Sequence, residues 1–238
     1  MPLSPKVIAE TASERVAPLQ AIKRSQEGLL VHEIYASIQG ESTFAGVPCT
    51  FIRLTGCHLR CSYCDTEHAF HHGEVKTKEA IHAHVDALGI PTVELTGGEP
   101  LLQKNALSLM QELCDKGYQV LLETSGAVAI NKVDPRVKVI LDIKTPDSGE
   151  SERFIEKNLS LLWPGCELKF VLGSQNDYLW AKKWLQDKVV PTGIPVLFSP
   201  VADSLSPKDL AEWIMADKLP VRFQIQMHKI LWGDEQGR

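Results

Sequence analysis

Thr92-Val93-Glu94-Leu95-Thr96-Gly97-Gly98-Glu99-Pro100 is followed by Leu107, Met110, Leu113 and Cys114 at helical spacing, then by Gly117, then by an apolar run ending Glu123-Thr124-Ser125. This reads as a strand, an amphipathic helix with a glycine stop, and a second strand. The connection is long enough to cross over, so the two strands run parallel. The alternation extends outward from there. With 92–96 and 118–124 as centre, further β-rich runs stand at 29–38, 49–55, 137–143, 167–172, 194–198 and 221–227. Thr77 is placed to cap a helix whose stripe is Ile81, His84, Val85 and Leu88. Ser206-Pro207 is an N-cap and first-turn pair ahead of Leu210, Trp213 and Ile214. Alternating strands and helices predict an α/β fold with mostly parallel strands. Residues 1–28 read as a polar N-terminal extension with a short helix near Glu10–Lys23, and 29–238 as one domain.

The unusual polar residues gather where these strands end. Cys57–Asp65 follows Phe51–Thr55, Gly97-Gly98-Glu99 follows Val93–Thr96, and Glu123-Thr124-Ser125, Asp142-Ile143-Lys144 and Ser199-Pro200 close the next runs. Gln226-Met227-His228-Lys229 is expected to end the last strand. Barrels and open α/β sheets place active sites at that rim, so the pattern points to an enzyme.

Composition narrows the classes. The 238 residues are 44% hydrophobic and 23% charged with a net charge of −5, which suits a globular chain and argues against broad binding of nucleic acid. No apolar run reaches the roughly 18 residues of a membrane span. The polar opening residues lack the apolar core of a secretory signal, so a cytoplasmic location without membrane contact is expected. Six cysteines could form three disulfides, but Cys57, Cys61 and Cys64 crowd into one loop, which points to a metal. Cys49, Cys114 and Cys166 lie in apolar stretches and are expected to be plain buried residues.

The loop reads Thr55-Gly56-Cys57-His58-Leu59-Arg60-Cys61-Ser62-Tyr63-Cys64-Asp65-Thr66. Spacings of three and two residues between its cysteines let three thiolates converge on one centre. Iron–sulfur clusters take thiolate ligands, and three ligands on a four-iron cluster leave one iron open. The rival is a structural zinc site with His58, His68, His71 or His72 as fourth ligand; zinc usually draws on two separated knuckles, and this loop offers one. His68, His71 and His72 read otherwise as solvated loop residues, and Trp163, Trp180, Trp184 and Trp213 as packing.

The cysteine loop followed by Thr96-Gly97-Gly98-Glu99-Pro100 resembles the radical S-adenosylmethionine (SAM) superfamily. That resemblance implies a partial TIM-like β/α barrel, a 4Fe–4S cluster on Cys57, Cys61 and Cys64, and SAM chelated at the open iron. Reductive cleavage of SAM then gives a 5′-deoxyadenosyl radical that abstracts a substrate hydrogen. The flanks are more specific. Ser37-Ile38-Gln39-Gly40-Glu41-Ser42, Phe51-Ile52-Arg53-Leu54-Thr55-Gly56, Cys64-Asp65-Thr66 and Gln226-Met227-His228-Lys229 together resemble the 7-carboxy-7-deazaguanine synthase family over residues 31 to 232. That family converts 6-carboxy-5,6,7,8-tetrahydropterin to 7-carboxy-7-deazaguanine with release of ammonia, on the way to queuosine and other 7-deazapurines.

The resemblance also implies site residues. Ile38, Gln39, Gly40, Glu41, Arg53, Thr96 and His228 match substrate positions. Tyr63, Cys64, Asp65, Gly98, Glu99, Glu123, Asp142, Ile143, Lys144, Ser199, Pro200 and Val201 match SAM positions, and Thr66 matches a Mg²⁺ ligand. The chemistry agrees: Glu41 can accept paired N–H donors from an amino-pyrimidinone edge, and the Arg53 fork suits a carboxylate. Glu123 reads equally as part of a structural network beneath SAM, and Lys229 either pairs with an acid or lines the site. A flavodoxin or ferredoxin electron donor and a homodimer are also implied. Two other functions fit parts of the pattern: a glycyl-radical activase, which needs no Gln39-Gly40-Glu41 pocket, and a zinc-stabilised tRNA-binding module, which needs no glycine pair.

Overall fold

The computed structural model describes residues 9–24, 28–233, 235 and 237. Among the described residues nine strands form one sheet: β1 (Gly28–Ile38), β2 (Pro48–Leu54), β3 (Glu74–Thr77), β4 (Thr92–Gly97), β5 (Gln119–Thr124), β6 (Lys138–Ile143), β7 (Glu167–Leu172), β8 (Val196–Pro200) and β9 (Arg222–Phe223). Their order across the sheet is β3-β1-β2-β4-β5-β6-β7-β8-β9. From β2 to β9 neighbouring strands are parallel. β1 is antiparallel to β2 and to β3, with a bulge between Val31 and Glu33. The loop from β1 to β2 is too short for a crossover, so those strands form a hairpin. The edge strand β3 escapes the sequence reading because Glu74-Val75-Lys76-Thr77 is short and polar.

The helices are α1 (Ala12–Arg15), α2 (Lys78–Leu88), α3 (Asn105–Asp115), α4 (Gln175–Asp187), α5 (Pro207–Asp217) and α6 (Met227–Trp232). Thr77 and Ser206 cap α2 and α5 as expected, accepting from the Ala80 and Asp209 N–H groups. Two stripes differ from expectation. On α2 only Ile81 and Val85 are buried and His84 is exposed; on α3 the buried face is Ala106, Leu109, Met110 and Leu113, with Leu107 and Cys114 only partly covered. Two C-terminal elements also differ. The run expected at 194–198 pairs as Val196–Pro200, and Gln226–Lys229 does not end a strand. β9 stops at Phe223, and Gln226 instead caps α6, because that segment packs its backbone on the β1–β2 loop, where the Met227 N–H donates to Gly40 O at 2.9 Å.

Strand alternation divides the sheet into two faces. Val93 and Leu95, Val120 and Leu122, Val139 and Leu141, and Leu168 and Phe170 join the helices in one apolar core. Between them, Glu94, Thr96, Glu123, Asp142 and Lys169 point to the other side, into a cavity. The sheet curls around it. Glu41, just beyond β1, pairs with Lys169 on β7, five strands along the order. In a flat sheet spaced at about 4.8 Å per strand those positions would lie roughly 24 Å apart. β3 and β9 do not pair, so the curl is an incomplete β/α barrel.

Candidate active site

The cysteine loop leaves β2 at Gly56, whose φ of +97° favours glycine. That departure point is tied to the end of β4: Gly98 N–H donates to Leu54 O at 3.0 Å and Glu99 N–H to Gly56 O at 2.8 Å. A Cβ on Gly98 would stand 2.3 Å from Gly56 O and 2.9 Å from Cys57 Cβ. The glycine pair therefore lets two strand ends meet without a side chain between them. Cys57, Cys61 and Cys64 are free thiols that line one cavity of about 870 Å³. Burial pushes the Cys57 and Cys61 thiols up to about 12. Burial and the Asp65 charge push Cys64 up as well. Three thiols lining one cavity match the donor set of an iron–sulfur cluster, whose binding would take their protons. None of His58, His68, His71 and His72 lines the cavity, which leaves a fourth zinc ligand unsupplied by those residues. Cys49 and Cys166 are fully buried away from it, and Cys114 is half-buried on α3.

Beside the loop, the Tyr63 hydroxyl donates to Val171 O at 3.2 Å. Asp142 and Lys144 face the cavity and pair with each other at 2.8 Å. Burial works against the charge on Lys144, but Asp142 and the Cys61 sulfur hold its ammonium well above the usual lysine range. Val201, Ser125 and the Gly97-Gly98 backbone complete this wall. Four expected SAM residues lie outside the lining. Ile143 faces the helix core because it alternates with Asp142 and Lys144. Ser199 and Pro200 are buried in β8, and neither lines the cavity. Glu99 is 1% exposed, and its carboxylate accepts from the Thr124 and Ser125 hydroxyls at 2.8 and 2.6 Å and from Ser125 N–H at 3.0 Å. It ties β4 to β5, and the cavity wall there is backbone.

The opposite wall carries charge. Lys169, 3% exposed, pairs with Glu41 and Glu123 and lies 3.7 Å from Asp142. Burial opposes its charge, but Glu123 and Glu41 outweigh it and hold the ammonium well above the usual range. Burial likewise opposes ionisation of Glu123, and Lys169 overcomes it and holds that carboxyl low. The other Glu41 oxygen, Oε1, has no hydrogen-bond partner among the described residues. Gln39 donates to Glu94, whose carboxyl is raised well above the usual range by burial and by repulsion from Glu123. The Thr96 hydroxyl donates to Glu123 at 3.2 Å. Arg53 gives Nε to Glu33 at 2.7 Å and Nη2 to the Tyr35 hydroxyl at 2.8 Å. Its fork is thus partly occupied, and only the remaining donors can meet a ligand.

Ile38, Gly40, Thr66 and His228 also line the cavity. The Thr66 hydroxyl lies 3.5 Å from Gly97 O and 3.7 Å from Cys64 Sγ. A Cβ on Gly40 would sit 2.3 Å from His228 Nδ1, so that glycine admits the histidine. Lys229 lines the site and stands 4.0 Å from Asp65. Burial raises the Asp65 carboxyl, but Lys229 and Arg53 win and hold it below the usual range. Lys169, Glu94 and Tyr35 were not expected from sequence. The signal for the first two was a lone charge inside an apolar strand run.

A curled sheet with a charged lumen and three free cysteines at its C-terminal rim is the architecture of a radical SAM protein, and the Radical SAM superfamily matches residues 51–145. The 7-carboxy-7-deazaguanine synthase of Chlorobaculum tepidum is 45% identical over 210 residues, covering 87% of this chain and 96% of that protein. The one from Koribacter versatilis is 40% identical, covering 86% and 97%. The chain belongs to the 7-carboxy-7-deazaguanine synthase family. A crystal structure of QueE from Escherichia coli has the same fold, with a TM-score of 0.71 at 24% identity over 84% of this chain and 95% of that one. Family membership sets aside the activase and the zinc module.

Proposed function

We infer that the chain is a radical SAM lyase converting 6-carboxy-5,6,7,8-tetrahydropterin to 7-carboxy-7-deazaguanine with release of ammonia, a step in queuosine biosynthesis. The observation that carries this reading is one cavity with three free cysteines on one wall and the Glu41–Lys169–Glu123 array on the other. Cys57, Cys61 and Cys64 would hold a 4Fe–4S cluster. With that cluster and SAM in place, the site would have the radical chemistry needed to take a hydrogen atom from the substrate.

The chain's own residues do the rest. The Gly97-Gly98 backbone and the Asp142–Lys144 pair give SAM a polar cradle with Val201 and Tyr63 beside it. Glu41, fixed by Lys169 on one oxygen, offers Oε1 to the N–H edge of the pterin. Gln39, steadied by Glu94, adds an acceptor or donor. Arg53, locked by Glu33 and Tyr35, turns its remaining donors to the substrate carboxylate. Lys169 holds its proton between Glu41 and Glu123 on the cavity wall and would be available as a proton donor there. Thr66 offers a hydroxyl to Mg²⁺, a hard ion that would take oxygen ligands and leave the thiols to iron.

We further propose a flavodoxin or ferredoxin as electron donor, a homodimer, and a cytoplasmic location; no helix among the described residues is long and apolar enough to cross a membrane. The test is an anaerobic assay of the reconstituted, reduced protein with SAM and carboxytetrahydropterin, with and without Mg²⁺. Ammonia and 7-carboxy-7-deazaguanine should form together, and Thr66→Ala should lose the Mg²⁺ stimulation while still binding SAM. SAM cleavage that never yields the deazapurine would defeat the assignment.

A further inference from the structure

Glu10, Arg15 and Leu19, among the described residues ahead of β1, lie against the outer side of the cysteine loop. Arg60, between Cys57 and Cys61, has a side chain 1% exposed. Its Nη1 donates to Cys57 O at 2.8 Å and to Leu59 O at 2.7 Å, and its guanidinium lies over the Phe70 ring at 4.1 Å. The other face of that fork goes to Glu10, which accepts from Nε at 3.0 Å and Nη2 at 2.5 Å. Glu10 also meets His71 Nε2 at 3.0 Å, so it bridges both ends of the loop region. Arg15 donates to His58 O at 3.2 Å and to Glu150 at 3.1 Å, and the same Glu150 oxygen accepts the Arg60 N–H at 2.7 Å. Leu19 closes the row, with a methyl 2.8 Å from where a Gly56 Cβ would stand. None of Glu10, Arg15 and Leu19 lines the active-site cavity.

Three contacts from one segment thus reach Gly56, His58 and Arg60, the backbone that carries the first two cysteines. We propose that Glu10–Leu19 is a strap that positions the cysteine loop and seals its outer face, setting how fast the cluster is lost; this rests on the cluster reading above. Loops open locally with a free energy set by their own contacts, and an open loop admits solvent and dioxygen. Without Glu10, the Arg60 charge would lose its acidic partner inside a closed surface, a cost that falls on this loop and not on the sheet.

The experiment reconstitutes the full chain anaerobically as wild type, Glu10→Ala, Arg15→Ala, Leu19→Ala and Arg15→Lys, then follows the cluster's visible absorbance after exposure to air or to an iron chelator. Iron content and anaerobic SAM cleavage should begin at wild-type levels in every variant. The three alanine variants should then bleach about tenfold faster, equivalent to ~1.4 kcal/mol of loop closure. Arg15→Lys, which keeps a donor for His58 O or Glu150, should recover most of the difference. The reduced cluster's electron paramagnetic resonance signal should broaden in Glu10→Ala as the loop loses its single setting. Wild-type bleaching in all variants would overturn the proposal, as would lowered melting temperatures with unchanged bleaching, since the segment would then be a general buttress. A wild-type protein that takes up no iron and sulfide at all would instead refute the cluster reading.

Discussion

Lys169 shows how one side chain organises the pocket. It lies between Glu41 and Glu123 with almost no access to water. Removing it leaves two carboxylates facing each other in a closed space, a change that costs about 3–5 kcal/mol when one partner of a buried pair is deleted. Lys169→Met should therefore lower the melting temperature and abolish product formation while keeping the iron content; a variant with normal stability and turnover would remove the lysine from the site. Two other carboxyls respond oppositely to pH. Burial opposes ionisation of Glu33, but His68 and Arg53 hold it at about 2 against an ordinary 4.5. Its contribution is present above about 4.5 and is lost as pH falls toward 2. Glu94 is raised, so its contribution weakens as pH climbs above the ordinary range. Acid unfolding of Glu33→Gln should show less loss of stability between pH 4.5 and 2 than wild type; parallel curves would disprove the coupling. The cysteine triplet was legible from sequence because its geometry is local. Lys169 was not, since a charge in an apolar strand gains a direction only when the sheet's two faces are assigned.

Among the elements, the end of β4 carries the most consequence per atom. Gly98 has no unusual φ, so alanine there meets a contact problem and not a conformational one: its Cβ would press on Gly56 O at 2.3 Å and Cys57 Cβ at 2.9 Å. The cysteine loop must move, and a shift of about 1 Å near reacting groups can cost roughly a hundredfold in rate. Gly98→Ala should weaken SAM binding and turnover on that scale, read by SAM titration. Gly89→Ala is the control: its Cβ meets nothing within 4 Å, and the φ of +65° costs stability alone, about 1 kcal/mol. Equal SAM affinities in the two variants would refute the argument. Strand runs and helix caps were legible because alternation and capping are short-range. The C-terminal helix was missed because Gln226–Lys229 has no helical stripe of its own, and the docking of Met227 on Gly40 overrides local preference.

At the scale of the molecule, the curl of the sheet makes a pocket from residues far apart in sequence. Sequence order showed which residues sit at strand ends, but not which face each other across the lumen; Glu41 with Lys169 and Thr43 with Glu167 are pairings only the curl creates. The loop after β1 also meets the start of α6, through the bond from Met227 to Gly40, at a seam between early and late parts of the chain. During synthesis on the ribosome that seam is stitched last. A nascent chain presents Cys57, Cys61 and Cys64 to the cell, unshielded from the α6 side, while most of the barrel is still being translated. The wall opposite those thiols, with Lys169 on β7 and His228 on α6, is therefore completed only after the thiols themselves have emerged.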